Sequence, residues 1–217
     1  MKKIEITIEE ETPDFASVRV SEDSKGCLKR IPIKSLVNLL SEGDEVALSH
    51  CGVPLNCLDM AFSGAGMFEV VQYVPADKFL VRYMDKKYYI PFPTLVFQIR
   101  VEQKKVVKTR VFSAMDTVPT KNSVLYHFPF GNVYYDGKIC WGGNRLPEYE
   151  WPSDVNIPAL FLSAPTNNDL WSTERCTVGK DCEPLLSKIY EYLTKKEIFP
   201  SKWLVNTAGT VGELITD

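Results

Sequence analysis

The densest chemistry in the chain lies between Tyr126 and Gly143, which reads Tyr-His-Phe-Pro-Phe-Gly-Asn-Val-Tyr-Tyr-Asp-Gly-Lys-Ile-Cys-Trp-Gly-Gly. Asp136-Gly137 is a tight-turn dipeptide, so the segment is expected to fold back and bring Asn132 towards Cys140. Gly142-Gly143 leaves space beside the thiol for a large partner backbone. A thiolate is intrinsically nucleophilic, and an asparagine amide can donate to the oxyanion that forms as an acyl group moves. Cys140 and Asn132 are therefore the candidate catalytic pair, and acyl transfer through a covalent thioester is the chemistry they suit. A conventional cysteine hydrolase would add a histidine base and a group to orient it. Only His50 and His127 exist, and nothing in the sequence fixes a contact between His127 and Cys140, thirteen residues further on. The plainer readings are a partly buried, hydrogen-bonding His127 and a Cys140 that packs with Ile139 and Trp141.

The other cysteines, Cys27, Cys51, Cys57, Cys176 and Cys182, form no C-x-x-C pair. Cys51…Cys57 and Cys176…Cys182 share a spacing and His50 adjoins Cys51, but the separation does not fit a zinc knuckle. Buried small hydrophobes are the reading adopted for these five. Ser63-Gly64-Ala65-Gly66 lacks the G-x-x-x-x-G-K-S/T sequence of a phosphate loop and reads as a plain turn. No metal or nucleotide cofactor is expected.

Several elements must position the pair. Alternation of apolar and polar residues predicts strands at Ile4–Ile8 and Ala16–Val20, with turn chemistry from Ser21 to Gly26. Pro32 opens a helical stripe of Ile33, Leu36, Val37, Leu39 and Leu40, closed by Gly43. From Met67 the chain becomes a run of strands: Met67–Val74, Phe79–Met84, Lys87–Pro91, Leu95–Val101 and Lys105–Phe112. Their short turns imply an antiparallel meander. The acidic stretch after Cys140, punctuated by Pro147, Pro152, Pro158 and Pro165, reads as loop. Pro184 begins a second helical stripe of Leu185, Leu186, Ile189, Tyr190 and Leu193. The predicted class is α+β: an antiparallel meander sheet of four or five strands with flanking helices.

Composition narrows the function further. A chain of 217 residues can bury a sizeable core without staples. Its net charge of −3 is no footprint for a nucleic-acid binder, and its apolar runs are too short to span a membrane. Glu9, Glu10 and Glu11 interrupt any secretory signal, so a cytoplasmic location is expected. Residues 78–110 nevertheless carry nine basic residues against Asp85 and Glu102. That excess is either a solvated sheet face or a docking face for an acidic partner surface.

The stretch Asn132-Val133-Tyr134-Tyr135-Asp136-Gly137-Lys138-Ile139-Cys140 closely resembles the active-site segment of ubiquitin-conjugating enzymes. Those run His-Pro-Asn, an apolar residue, a short turn with Gly, and Ile/Val-Cys. Counting back eight places from Cys140 reaches Asn132, where that family keeps its Asn. Tyr89-Ile90-Pro91-Phe92-Pro93 with Leu95-Val96-Phe97 also looks like that family's strand order ahead of the site. The closer resemblance is to the bacterial branch called prokaryotic ubiquitin-conjugating-enzyme-like family D, which includes the protein B component of the plasmid-associated PRTRC system. It covers roughly residues 67–165 and departs from the eukaryotic motif at Phe130 (His there) and Gly131 (Pro there).

The resemblance implies a fold and a relay. Residues 67–217 would be a ubiquitin-conjugating-like core with a C-terminal helix, and residues 1–66 an N-terminal extension or a lobe of the same unit. A ThiF-like activating enzyme would pass the C-terminus of a ubiquitin-like protein to Cys140. Asn132 would stabilise the oxyanion as an amine or other nucleophile attacks the thioester. Asp154 and Asp169 are candidates for the acidic residue that positions the nucleophile, each as readily a solvated loop acid. A JAB-type metalloprotease often accompanies such systems. The competing expectation is a catalytically inactive adaptor that keeps the fold and binds the ubiquitin-like protein or its activating enzyme.

Overall fold

The computed structural model describes residues 2–8, 15–22, 25–33, 55–63, 67–149 and 156–216. The helix expected from Pro32 to Gly43 beyond Ile33, the turn at 64–66, His50, Cys51 and Asp154 lie outside the described residues. Residues 1–50 and 51–217 form two compact units. In the first, β1 (Lys2–Ile8), β2 (Phe15–Glu22) and β3 (Lys25–Pro32) make a three-stranded antiparallel sheet. The two predicted strands are present, and the turn chemistry at Ser21–Gly26 leads into a third.

The second unit is built on a six-stranded antiparallel sheet. Its strands are β4 (Cys57–Ser63), β5 (Met67–Val74), β8 (Thr94–Glu102), β9 (Lys105–Ala114), β10 (Val124–Tyr126) and β11 (Asn206–Thr210), in the order β11-β10-β9-β8-β5-β4. Strand β4 precedes residue 67, so the sheet draws on part of the expected 1–66 extension. The class is α+β, as predicted, but the sheet is not a simple meander. Strands β6 (Lys78–Tyr83) and β7 (Lys86–Pro91) form a separate two-stranded sheet, and β5 pairs directly with β8. Pro91 at the end of β7 and Pro93 just ahead of β8 each lack a backbone donor, which disfavours continuing one ladder through that connection. The hairpin is instead amphipathic: Val81, Tyr83, Tyr88 and Ile90 are buried, while Leu80, Arg82 and Tyr89 face outwards.

Helix α1 (Ile157–Ser163) corrects the reading of Pro158 as loop punctuation. Proline is tolerated in a first helical turn, where its missing N–H would have no partner. The Asn156 side chain caps that turn by accepting from the Ala159 N–H at 3.0 Å. Helix α2 (Leu186–Leu193) is the predicted C-terminal stripe, burying Leu186, Ile189, Tyr190 and Leu193. A short helix α3 (Val211–Thr216) follows β11 and starts with a reciprocal capping box. There Thr210 N–H donates to Glu213 Oε2 at 2.8 Å and Glu213 N–H to Thr210 Oγ1 at 3.3 Å.

The two sheet faces bury different cores. One face carries Leu95, Phe97, Ile99 and Val111 into a cluster with α1, α2 and the hairpin. The other packs Val71, Val96 and Phe112 against Val211 and Leu214 of α3. Gln98, fully buried, ties α3 down by donating to the Leu214 carbonyl at 3.0 Å and to Glu69 at 2.8 Å.

Phe130 lies at the centre of the larger cluster. Its ring sits 4.8 Å from Phe92, 5.3 Å from Tyr190, 5.7 Å from Phe128 and 6.0 Å from Phe199, and it is 1% exposed. An imidazole here would bury ring nitrogens among hydrocarbon. Phe130→His is expected to cost about 1–3 kcal/mol for the unpaired polar atoms. A lower denaturant midpoint at mildly alkaline pH, with an unchanged denaturant slope, would show it.

Candidate active site

The loop from Asn132 to Cys140 is a small closed hairpin laid along β9. Cys140 N–H donates to the Asn132 carbonyl at 2.8 Å, and Tyr134 N–H to the Lys138 carbonyl at 2.8 Å. Its turn is made by Gly137 N–H on Tyr134 O at 3.0 Å and by Asp136 Oδ1 accepting from Lys138 N–H at 3.0 Å. On the sheet side, Val111 N–H reaches Gly137 O at 2.8 Å and Ile139 N–H reaches Thr109 O at 3.0 Å. The site is thus hydrogen-bonded to a central structural strand rather than carried on a free loop.

Two backbone positions make the closure possible. Asn132 has φ of +64°, a left-handed conformation that asparagine tolerates better than most residues. Gly137, at φ +84°, packs so closely on Phe112 that a Cβ would stand 2.3 Å from the ring. Gly131 has a different role: a Cβ there would stand 2.4 Å from the Asn167 carbonyl oxygen. Glycine at 131 therefore lets the 165–169 segment approach and form the facing wall.

That wall and the loop enclose a groove of about 290 Å³, lined by Asn132, Cys140, Trp141, Pro165, Asn167 and Asp169 among others. The structure thus brings together the predicted pair, Asn132 and Cys140, with one of the two candidate acids, Asp169. Space around Gly142 and Gly143 is open: a Cβ added at either would meet no atom within 4 Å. Asn132 Nδ2 donates to the Pro165 carbonyl at 2.7 Å, which aims the amide across the groove. Asp169 is held by an Asx turn, its N–H on Asn167 Oδ1 at 3.0 Å and its Oδ2 accepting from Asn167 Nδ2 at 2.8 Å. Trp141 is pinned by its indole N–H on Thr109 Oγ1 at 2.9 Å.

Two contributors escape the sequence reading. Tyr134 places its hydroxyl 3.8 Å from Cys140 Sγ, and that contact raises the Tyr134 pKa. Its i, i+6 spacing across the Asp-Gly turn is the available signal. Arg175, 4% exposed, donates to the Val133 carbonyl from beneath the loop. It lies 42 residues downstream, and no local pattern points to it.

His127 is not in this groove. It is buried, packed at a tilt against Tyr135 with ring centroids 4.4 Å apart, so no His127–Cys140 dyad is assembled. Cys176 is fully buried, and burial pushes its thiol up to about 12. Burial also raises the thiols of Cys57 and Cys182. Cys140 is half-buried at the groove surface. Among the described residues no group of three or more His, Cys, Asp or Glu could hold a metal ion, and no helix is long and apolar enough to cross a membrane.

A thiol and a primary amide share one groove, on a loop hydrogen-bonded to the antiparallel sheet of an α+β protein. Residues 33–207, most of the chain, match the family model for Prokaryotic E2 family D (E2 being the ubiquitin-conjugating class), and the chain belongs to that family. No curated protein and no solved structure matches it.

Burial, then the nearby Arg175 charge, lowers the His127 pKa, with a hydrogen bond to the Tyr135 backbone opposing them. The unfolded chain takes up that proton as pH falls through about 6.5, before the folded protein does. Stability is therefore expected to decline below pH 6.5 and to level off once folded His127 also protonates. Urea titrations across that window would show a shallower decline in His127→Gln than in the parent or in His50→Gln.

Proposed function

We propose that this chain is a ubiquitin-like-protein conjugating enzyme whose acceptor thiol is Cys140. The observation that carries the reading is the 2.8 Å bond from Cys140 N–H to Asn132 O, which fixes thiol and amide in one open groove. Membership of a family named for E2 enzymes supports it.

The chemistry runs in two balanced steps. In the first, the Cys140 thiolate attacks the thioester carbonyl presented by an activating enzyme. The tetrahedral oxyanion collapses, expelling the activating enzyme's thiolate and leaving the acyl group on Cys140. In the second, an amine attacks the new thioester, and collapse expels the Cys140 thiolate, with the amine's proton lost to solvent or a base. The Asn132 amide has two N–H donors. One, on Pro165 O, orients the group, and the other is free to meet the oxyanion. Asp169, on the groove wall, is suited to attract an approaching lysine ammonium. No step calls for a metal or nucleotide on this chain. The acyl donor would be a small ubiquitin-like protein delivered by a ThiF-like activating enzyme, with a JAB-type metalloprotease as a further partner. Such an assembly fits a cytoplasmic system of the PRTRC protein B kind.

The second reading, an inactive adaptor with the same fold, draws on the Asn132 amide already engaged with Pro165 and on Phe130 and Gly131. Discharge kinetics separate the two. Asn132→Gly keeps the left-handed backbone and removes only the amide, which Asn132→Ala would not. Loading of Cys140 is expected to persist, while lysine-driven discharge slows roughly 10²–10³-fold. Equal discharge rates with and without the amide would remove Asn132 from the mechanism, and failure of Cys140 to load at all would favour the adaptor.

A further inference from the structure

The β6–β7 hairpin has an outward face that the thioester chemistry leaves unexplained. Leu80 and Tyr89 are directly opposed across its strands, 46% and 57% exposed. The next outward pair is Arg82 opposite Lys87, two exposed like charges. Directly opposed like charges destabilise a hairpin, and no carboxylate among the described residues bridges either one. Three other lysines of this unit do have carboxylate partners: Lys78 with Glu197 at 2.8 Å, Lys188 with Glu191 at 3.0 Å and Lys202 with Asp181 at 2.8 Å. The turn between the strands exposes Met84 by 69%. Strands and turn together, residues 78–91, hold four basic residues against Asp85 in a chain of net charge −3.

Beside this face runs a second groove, about 280 Å³, between β6 and helix α1. Phe79, Leu80, Arg82, Ala159, Leu162 and Ser163 line it, so its walls are largely apolar, with Arg82 the one charged residue among them. A concave apolar slot next to paired, uncompensated cations matches a side chain flanked by carboxylates. It is ill-suited to a nucleic-acid backbone, which would need a longer basic track.

We propose that the outward face of β6–β7, with the groove against α1, docks an acidic protein segment that inserts an apolar anchor. The anchor fills the groove at Leu80 and Leu162, and its neighbouring carboxylates pair with Arg82 and Lys87. This surface shares a wall with the Cys140 groove, since Phe161 of α1 lines that groove. It is also joined to it by one backbone and one side-chain hydrogen bond: Thr166 N–H donates to Arg82 O at 2.7 Å, and Tyr83 OH to Asn168 Oδ1 at 2.9 Å. Thr166 follows Pro165, whose carbonyl holds the Asn132 amide. The proposal does not depend on Cys140 being acylated.

The test uses the full chain carrying Cys140→Ala, so that thiol chemistry cannot intervene. Its probe is a short fluorescent peptide alternating glutamate and leucine, followed by anisotropy. Saturable binding is expected, weakened about tenfold or more by Arg82→Glu with Lys87→Glu, and clearly reduced by Leu80→Ser. A lysine–leucine version of the peptide is expected to bind the charge-reversed protein better than the parent. All three positions are exposed, and circular dichroism checks that each variant folds; Arg82→Gln is the milder variant should the reversal perturb the hairpin. Absence of saturable binding would overturn the proposal, as would binding indifferent to these substitutions. So would tighter, substitution-sensitive binding to phosphatidylserine vesicles, which would make the face a membrane surface instead.

Discussion

The backbone bond from Cys140 to Asn132 is the constraint on which the site depends. It closes a nine-residue loop tightly enough that the thiol and the amide share one groove, and the closure holds only because several unrelated features permit it. Asn132 must be left-handed, Gly137 must lie flat on Phe112, and the loop must dock along β9 beyond that strand's short pairing with β10. Each is a backbone requirement, and each selects a residue type. Asn132 therefore combines a left-handed turn conformer with an amide that donates across the groove to Pro165 O. Arg175 beneath Val133 holds the loop from the opposite side.

The rest of the fold supports this closure. The aromatic cluster around Phe130 fixes the approach to the loop, with the ring taking the position where the eukaryotic motif has a histidine. Phenylalanine satisfies its surroundings by burial alone, whereas an imidazole would need hydrogen-bond partners that Phe92, Phe128 and Phe199 cannot give. At Gly131 the Asn167 carbonyl occupies the space a side chain would need. The 165–169 wall stands close to the loop, and an aromatic core fills the space behind it. Helix α1 borders both grooves and makes the hairpin a neighbour of the Cys140 groove.

Much of this is legible in the sequence, and what is hidden has identifiable causes. The strands from Met67 to Phe112 follow from their apolar alternation and short turns, but the topology does not. The departure of β6–β7 from the sheet depends on which strands pair after Pro91-Phe92-Pro93, a non-local choice. Asn132 and Cys140 are readable because a local Asp-Gly turn joins them. Their facing wall is not, since Pro165 meets Asn132 across 33 residues. Weighing Pro158 as a breaker hides helix α1, although Asn156 ahead of it is a start signal. Thr210-Val211-Gly212-Glu213 likewise spells the capping box of α3.

The most direct measurement of the central claim is charging without an activating enzyme. Native protein is incubated with a peptide thioester ending in Gly-Gly, and the adduct is mapped by mass spectrometry before and after reducing agent. The account expects a single acyl group on Cys140, removed by thiol, absent in Cys140→Ala and converted to a thiol-resistant ester in Cys140→Ser. An uncharged Cys140 in folded protein, or an adduct carried instead by Cys57 or Cys182, would contradict it.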